Sequence, residues 1–411
     1  MSAKSPHPIV KFALDEGMIL HHPGMAGVLF LDASASYCYC IAESSGSDEA
    51  VIARLRGDLG GAENDLRPYR SLLAQWRELG LLPYGAEPVR RRRPEVLAEL
   101  CAPEPLPDAG RGVSADFDIL GRAFRIDCPD AGFAEEIGLA FAHLRPKRRF
   151  GLRNRGYHLT LRRCGDDCAI LGHGSEWWRG AAEEALPALK SAMFSIAVDA
   201  TPYLASVHAA AVARGERAAL LAGDSGSGKT LLSLALLRRG YSYLSDDCVL
   251  LGSDISARGV PMPISIKRDG MQAAAALAPE VKGLDEHKRH DGQWVRYWAP
   301  TDALDRRRLP IGAVCFVTYS AAGPDRAETM SAFSGLRRLA TLLQIRRPLR
   351  AAELAALVDW ATRTTFLEIR FSDAAFVDRT LAALQGPQMI ASIASEPMPA
   401  RTKAPIAPSR M

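Results

Sequence analysis

The stretch GDSGSGKT at 223–230 has residue types and a spacing suited to holding phosphate. It fits the pattern GxxxxGK[ST], in which glycines let backbone N–H groups turn inward around an anion. Lys229 can reach the β- and γ-phosphates of a nucleotide, and the hydroxyl of Thr230 can ligate Mg²⁺. The predicted nucleotide-binding residues are Gly223, Asp224, Ser225, Gly226, Ser227, Gly228, Lys229 and Thr230. The loop therefore predicts a nucleotide site that works with Mg²⁺.

Two adjacent carboxylates follow this loop closely along the chain. Asp246 and Asp247 end the strand-like run YSYLSDD, and only sixteen positions separate Thr230 from Asp246. In most motor-type and GTPase-type proteins with such a loop, the aspartate that serves the metal is farther away. Two carboxylates suit two tasks, which are binding Mg²⁺ and accepting a proton from an attacking hydroxyl. The pair predicts transfer of a phosphoryl group to a hydroxyl.

A histidine completes this constellation, because His208 lies one hairpin upstream of the loop. The order and spacing of His208, GDSGSGKT and LLRRGYSYLSDD resemble the HPr kinase/phosphorylase family over roughly residues 200–252. The resemblance implies binding of ATP and Mg²⁺, and a set of roles for individual residues. It makes Asp246 the general base on an acceptor serine, Thr230 and Asp247 the metal ligands, and His208 and Lys229 active-site residues. It also implies a homo-oligomer, since related kinases are often oligomeric, although the sequence leaves the oligomeric state open.

The chain departs from that family in one respect. The family's second signature, a glycine-rich stretch with a glutamate, is not recognisable, so phosphorolysis and HPr as the substrate stay open. In its place, RGVPMPISIKRDG at 258–270 is similar to HPr-kinase-related proteins of peptide-modification gene clusters. Lys267 within it could touch phosphate or could be an ordinary surface lysine.

The elements around the motif fit the setting that it requires. RAALLA before the loop is typical of a strand, and LLSLALLRRG after it is typical of a helix that ends at Gly240. A helix AAELAALVDWATR, a strand TFLEIRFS and a helix AAFVDRTLAAL close the segment. We therefore expect an α/β fold with a P-loop, HPr-kinase-like catalytic core over 206–385, preceded by an N-terminal α/β part of the kinase region over 113–205.

Residues 1–86 predict a separate module with a winged-helix-like α+β fold. IVKFAL, MILHH and GVLFLD are expected to be strands, and SDEAVIARLRGDLG and DLRPYRSLLAQWRELG to be helices. The pattern resembles PqqD-like domains, which recognise the leader of a precursor peptide. The resemblance implies that a leader peptide adds as a strand beside the third strand and against the last helix. The matching surface is Val28, Leu29, Phe30 and Leu31 together with Leu72, Leu73 and Trp76.

Two other interpretations of this module stay open. The same apolar residues could be only the core of the module itself. A winged-helix reader of DNA is disfavoured, because the last helix is mixed in charge and no nucleic-acid partner is expected. We expect 87–112 to be a solvated linker around Arg90–Arg93, rather than a phosphate or nucleic-acid site, and 386–411 to be a disordered tail.

Composition limits the classes of protein further. Of the 411 residues, 48% are hydrophobic and 24% are charged, and the net charge is only +4, so a dedicated nucleic-acid binder is not indicated. Eight scattered cysteines without CxxC pairs are typical of free thiols in a reducing cytosol rather than of a zinc site. The start of the chain lacks an apolar signal core, and no apolar run is long enough to cross a bilayer. These features predict a cytoplasmic protein without a membrane partner.

The resulting hypothesis is an ATP- and Mg²⁺-dependent kinase that phosphorylates a serine or threonine of a precursor peptide docked on the N-terminal module. The basic stretches Arg145–Arg155 and Arg306–Arg308 could hold acidic peptide or phosphate, or could be solvated charge. The alternatives are a kinase of a carrier protein or of a small hydroxyl compound. A further alternative is a nucleotide-switched peptide chaperone without kinase activity.

Overall fold

A computed structural model describes most of the chain, and it is mixed α/β with several sheets and, within the described part, ten α-helices. The described residues are 9–21, 28–59, 63–84, 104–105, 113–148, 150, 155–172 and 175–384. The predicted tail 386–411 lies outside them, as does the predicted linker 87–112 except for residues 104–105. None of the described helices combines the length and the apolar character that crossing a bilayer requires.

The N-terminal unit consists of three antiparallel strands followed by three helices. The strands lie where the alternating sequence predicts them, but the first helix was not predicted. Its sequence ASASYCYCIAE has no clear apolar stripe, and it begins because the carboxylate of Asp32 accepts the N–H of Ala35 at 2.9 Å. The elements are β1 (Val10–Leu14), β2 (Gly17–His21), β3 (Leu29–Asp32), α1 (Ala33–Glu43), α2 (Asp48–Leu59) and α3 (Arg67–Glu78).

The small sheet of this unit is covered on both faces. Leu20 and Leu31 point to the helices of the unit itself and share a core with Trp76. Ile19 and Phe30 point the other way and pack into a cluster formed mainly by residues after 203. Alternate strand residues face opposite sides of a sheet, so burial on both sides fixes the unit against the rest of the chain.

The second unit is a mixed sheet in which neighbouring strands follow the order β5-β6-β7-β8-β9, with β4 added beside β7. Two helices pack on it, and their cores continue into residues after 245. A hairpin turn connects Cys164 to Asp167, with Gly165 in the left-handed region at φ 70°. The elements are β4 (Glu104–Pro105), β5 (Val113–Ile119), β6 (Arg122–Cys128), α4 (Ala131–Ala140), β7 (Arg155–Cys164), β8 (Asp167–Gly172), β9 (Ser175–Ala181) and α5 (Ala182–Asp199).

The third unit carries the glycine-rich loop and contains three more sheets. The largest has the order β13-β11-β12-β19-β22-β20, with β12, β19 and β22 parallel to one another. The elements are β10 (Ala205–Val207), β11 (Ala210–Arg214), β12 (Arg217–Ala222), α6 (Lys229–Leu237), β13 (Ser242–Ser245), β14 (Val249–Leu251), β15 (Ala257–Gly259), β16 (Ile264–Lys267), α7 (Met271–Leu277), β17 (His287–Lys288), β18 (Trp294–Trp298), β19 (Ile311–Tyr319), β20 (Arg326–Met330), α8 (Ala332–Ala340), β21 (Leu343–Ile345), α9 (Ala351–Arg363), β22 (Thr365–Phe371) and α10 (Ala374–Ala383).

Strand β12 lies inside this sheet with both faces buried. Leu220 and Ala222 pack into the cluster that includes α8 and α9, while Ala219 and Leu221 pack into the cluster that includes α6 and α10. Continuous apolar sequence is typical of such a strand, because helices cover both of its sides. The strand therefore delivers the glycine-rich loop to one edge of a rigid three-layer arrangement.

Candidate functional site

The glycine-rich loop connects β12 to the first turn of α6. Gly223, Gly226 and Gly228 have φ values of 151°, 87° and 92°, which side-chain-bearing residues rarely adopt. A Cβ on Gly223 would also lie 2.7 Å from the carbonyl oxygen of Val317, and one on Gly228 would lie 2.9 Å from Cβ of Tyr319. The backbone angle favours glycine at all three positions, and close neighbours exclude a side chain at Gly223 and Gly228 as well.

The lysine of the motif folds back over the loop. Nζ of Lys229 donates to the carbonyl oxygens of Gly223 at 2.6 Å and Asp224 at 2.9 Å. Burial lowers the pKa of Lys229, while the charges of Asp247 and Asp246 act in the opposite direction. Its ammonium group therefore lies across the mouth of the loop, where a bound phosphate would accept its hydrogen bonds.

Asp246 follows the end of β13 and is nearly inaccessible, with 6% of its surface exposed. Its Oδ1 accepts the hydroxyl of Thr230 at 3.1 Å, and its Oδ2 accepts the backbone N–H of Ser265 at 3.2 Å. Burial, followed by the neighbouring charge of Asp247, raises the pKa of Asp246 to about 6. A carboxylate at this position is thus held against the loop and is costly to ionise without a cation.

Asp247 has a different environment although it is the next residue. Its side chain is exposed, and it lines a cleft of about 580 Å³ between the second and third units. Asp246 lines the same cleft from the buried side. The carboxylate of Asp246 is thus buried and hydrogen-bonded to Thr230, whereas the carboxylate of Asp247 is exposed at the cleft.

His208 lies at the same edge of the large sheet as the loop and the carboxylates. It is exposed, it connects β10 to β11, and its N–H donates to the carbonyl oxygen of Leu342 at 3.0 Å. In β11, Ala210 is paired with Leu221 of the loop's strand, and Ala211 with Ser245 next to Asp246. The register therefore places the segment that carries His208 at the same end of the large sheet as the loop and the carboxylate pair.

Lys267, which the sequence allowed either to touch phosphate or to be an ordinary surface lysine, reaches the loop. Its Nζ donates to Oγ of Ser225 at 2.9 Å from the end of β16. A buried polar atom of the same loop, Oγ of Ser227, has no hydrogen-bond partner among the described residues. An unpartnered hydroxyl within a ring of backbone donors and two lysines fits a phosphate group.

Lys190 of α5 is a member of the site that the sequence analysis missed. Its Nζ donates to Oγ of Ser265 at 2.8 Å and lies 5.1 Å from the ring centre of Tyr297. Burial lowers the pKa of Lys190, and the charges of Asp247 and Asp246 oppose this shift. A lone lysine in a helix that precedes the motif carries no sequence signal, because only the packing of α5 brings it to the carboxylates.

The oxygen donor atoms beside the loop suit Mg²⁺ better than they suit a metal whose ligands all come from the protein. Within the described residues, no group of three or more His, Cys, Asp or Glu side chains is arranged to hold a metal ion. Mg²⁺ is usually bound through one or two carboxylates together with phosphates and water. The hydroxyl of Thr230 and the carboxylates of Asp246 and Asp247 supply hard oxygen atoms of that kind.

The residues predicted to bind a peptide are only partly brought together. Leu29, Phe30, Leu31, Leu72 and Trp76 line a groove of about 430 Å³ between β3 and α3. Leu73 is completely buried in the core of the unit, and Val28 packs towards the third unit, so neither lines this groove. Within the described residues, β3 pairs with β2 alone, which leaves its other edge beside the groove.

The arginine stretch Arg306–Arg308 is engaged in contacts within the protein. Arg306 donates to Asp118 and to the carbonyl oxygen of His143, and Arg307 pairs with Asp305 and Glu216. The contacts of Arg306 connect the second and third units, while those of Arg307 lie within the third unit, so both arginines have a structural use.

In comparisons with known proteins, the chain matches neither a protein-family model nor a curated protein.

Proposed function

We propose that the chain is an ATP- and Mg²⁺-dependent kinase that phosphorylates a serine or threonine hydroxyl of a ribosomally made precursor peptide. The observation that carries this proposal is the hydrogen bond between Thr230 and Asp246, which joins a phosphate-type loop to a carboxylate pair. In this proposal 206–385 is a P-loop core of the HPr-kinase type. The N-terminal unit is a winged-helix-like domain of the PqqD type, and the protein works in the cytoplasm.

The loop residues bind and orient the nucleotide. Backbone N–H groups of 223–230 and the N-terminus of α6 would surround the phosphates, and Lys229 and Lys267 would add positive charge beside the loop. Bound ATP supplies the phosphoryl group, and Mg²⁺ neutralises its developing charge. Positioning and charge stabilisation of this kind provide most of the catalysis in phosphoryl transfer.

The contacts of the two carboxylates support an order of roles opposite to the one that the family resemblance implies. Asp246 is hydrogen-bonded to Thr230, so we assign these two residues to Mg²⁺. Asp247 faces the cleft and is assigned as the general base. The acceptor oxygen bonds to the γ-phosphorus as the bond to the β–γ bridging oxygen breaks. The proton of the acceptor hydroxyl goes to Asp247, and ADP leaves. His208, at the same edge of the large sheet, remains a proposed active-site residue.

The groove beside β3 supports the peptide part of the proposal. An extended leader can pair its backbone with the free edge of β3, while its side chains contact Leu72 and Tyr69 of α3. Tethering the leader there raises the concentration of the rest of the peptide at the kinase site. Arg337 of α8 also lines this groove, so the docked peptide would touch the third unit directly.

The test is mass spectrometry of short precursor peptides encoded beside this gene, after incubation with the full chain, ATP and Mg²⁺. We expect a gain of one phosphate that disappears with Asp247→Asn and persists with Asp302→Asn, which changes an exposed aspartate elsewhere in the third unit. Hydrolysis of ATP without any phosphopeptide would instead favour the nucleotide-switched chaperone.

A further inference from the structure

The cleft beside the carboxylate pair is a second, separately built part of the site. Its walls come from β9 and α5 on one side and from the segments around Ser245 and Ser265 on the other. Its volume of about 580 Å³ is within the range of sites that enclose a small molecule or part of an extended chain. The cleft contains Asp246 and Asp247 but none of the loop residues 223–230. It therefore approaches the carboxylates from a direction different from that of the nucleotide.

One wall of the cleft consists of two adjacent tryptophans, Trp177 and Trp178. Neighbouring residues of a regular strand point to opposite faces, but the register of β8 and β9 shifts here. Ile170 is paired with Trp178 and Leu171 with Glu176, so the register shifts by one residue at Trp177. A bulge of this kind re-aims a side chain, and it lets both indoles face the cleft.

Two glycines make room for these rings. A Cβ on Gly172 would lie 2.5 Å from the indole of Trp177, and one on Gly180 would lie 2.6 Å from the indole of Trp178. Glycine weakens a strand interior, so its presence under both indoles is explained by the space that the rings require. The aromatic wall thus depends on a bulge and two glycines, which together specify its shape.

Other residues that line the same cleft are polar. Lys190 lies there with its hydrogen bond to Ser265, next to the ring of Tyr297 and the carboxylates of Asp246 and Asp247. The cleft is therefore amphipathic, because it is lined both by the two indoles and by the proposed base. A ligand that matches it carries a hydroxyl at one end and a large apolar group a short distance away.

We propose that this cleft selects the acceptor, which is a serine or threonine hydroxyl adjacent to a large aromatic or aliphatic residue of an extended peptide. The proposal rests on the kinase activity proposed above and adds the sequence preference around the phosphorylated residue. The apolar neighbour packs against Trp177 and Trp178, and this contact holds the hydroxyl at Asp247. A matching apolar side chain in such a pocket discriminates by about 10- to 200-fold.

The test uses acetylated, amidated peptides of the form Ala-X-Ser-X-Ala, in which X is Trp, Leu, Ala or Asp. Two readouts are taken with the full chain: kcat/KM for the gain of phosphate with ATP and Mg²⁺, and the Kd of each peptide by calorimetry. We expect the Trp and Leu peptides to have a kcat/KM at least 10-fold higher and a Kd at least 10-fold lower than the Ala peptide. The Asp peptide should have the lowest kcat/KM and the highest Kd. Trp178→Ala should remove this preference, and Trp178→Phe should retain much of it.

A matched control separates the cleft from general damage to the fold. Trp360 of α9 is likewise partly buried but does not line the cleft, so Trp360→Ala should leave the preference intact. Equal phosphorylation of all four peptides would overturn the cleft proposal and leave the kinase standing. Binding preference that depends on Trp178 without phosphate gain would overturn the kinase and leave the cleft standing. Absence of both preference and phosphate gain would contradict both proposals.

Discussion

The hydroxyl of Thr230 donates to Oδ1 of Asp246 at 3.1 Å, so the first turn of α6 and the end of β13 meet at one point. The other oxygen of Asp246 accepts the backbone N–H of Ser265, and this fixes the orientation of the carboxylate. Asp247 takes no part in these two bonds, and it is exposed at the cleft that both aspartates line. This asymmetry between two adjacent aspartates underlies the assignment of their roles.

We expect Asp246→Asn and Asp247→Asn to impair the kinase in different ways. Loss of a general base costs about 10²- to 10⁴-fold in rate, so Asp247→Asn should lower kcat and leave nucleotide affinity unchanged. Asp246→Asn should weaken the Mg²⁺-dependent part of ATP binding, because a ligand is removed. Titrations of ATP with and without Mg²⁺ check this. If Asp247→Asn is the variant that loses the Mg²⁺ dependence, the order implied by the family resemblance is the right one.

Asp246 should also destabilise the protein when no cation is present. The pKa of Asp246 is raised from 3.8 to about 6, so the folded state favours the neutral acid. The contribution of this preference to the free energy of unfolding is complete below pH 3.8 and is lost as the pH rises through 6. A shift of about two units corresponds to about 3 kcal/mol. Without Mg²⁺ at pH 8, Asp246→Asn should therefore be more stable than the parent by up to that amount. Urea unfolding at pH 8 and at pH 3.5 tests this, since the difference should vanish at the lower pH.

Lys190 should set the acid limit of activity. Its charge lowers the pKa of Asp246, opposing burial and Asp247, so its removal raises that pKa further. In Lys190→Met the acid limb of the profile of kcat/KM against pH should move to higher pH, while activity at high pH recovers in part. Lys288→Met is the matched control, because the side chain of Lys288 is 40% exposed and its Nζ lies 3.8 Å from Oε1 of Glu184. An unshifted limb in Lys190→Met would show that this lysine has only a structural role.

The backbone of the loop should tolerate no side chain at its first glycine. Gly223→Ala would combine a φ of 151° with a Cβ 2.7 Å from the carbonyl oxygen of Val317. Strain of this kind costs about 1–3 kcal/mol, so ATP affinity should fall by 10-fold or more. Gly283→Ala serves as the control, because a Cβ there has no neighbour within 4 Å. Fluorescent-nucleotide binding distinguishes the two, and equal affinities would contradict the role of the loop.

Leader docking is better tested by a point change than by removing the first unit. Ile19 and Phe30 are part of a cluster with the third unit, so a truncation would expose apolar surface there. Leu72→Asp places a charge in the groove beside β3 and should weaken leader binding by 10-fold or more. Leu59→Asp makes the same change at a residue that is 51% exposed on α2 and should have little effect. Calorimetry with the precursor peptide compares them, and equal affinities would place the leader elsewhere.

Elements with a strong local pattern could be predicted from the sequence. RAALLA forms β12 and AAELAALVDWATR forms α9 with the predicted bounds, since a continuous apolar run and a helical apolar stripe are local properties. Helix α1 was missed because its start depends on a single cap at Asp32 and its burial on neighbouring helices. The bounds of the predicted domains stay predictions.

The loop, the aspartate pair and the histidine could be proposed as a site from the sequence alone, because a phosphate loop needs glycine and lysine at fixed spacing. Which aspartate meets Thr230 was decided only by the tertiary structure, as the twist and register of β13 orient the two side chains. The same holds for Lys190 and the tryptophan pair, which are 56 residues or more from Asp246 in sequence and reach the cleft through packing of α5 and a bulge in β9. A motif made of neighbouring residues can be recognised in the sequence, whereas contacts between distant segments form only when the core packs.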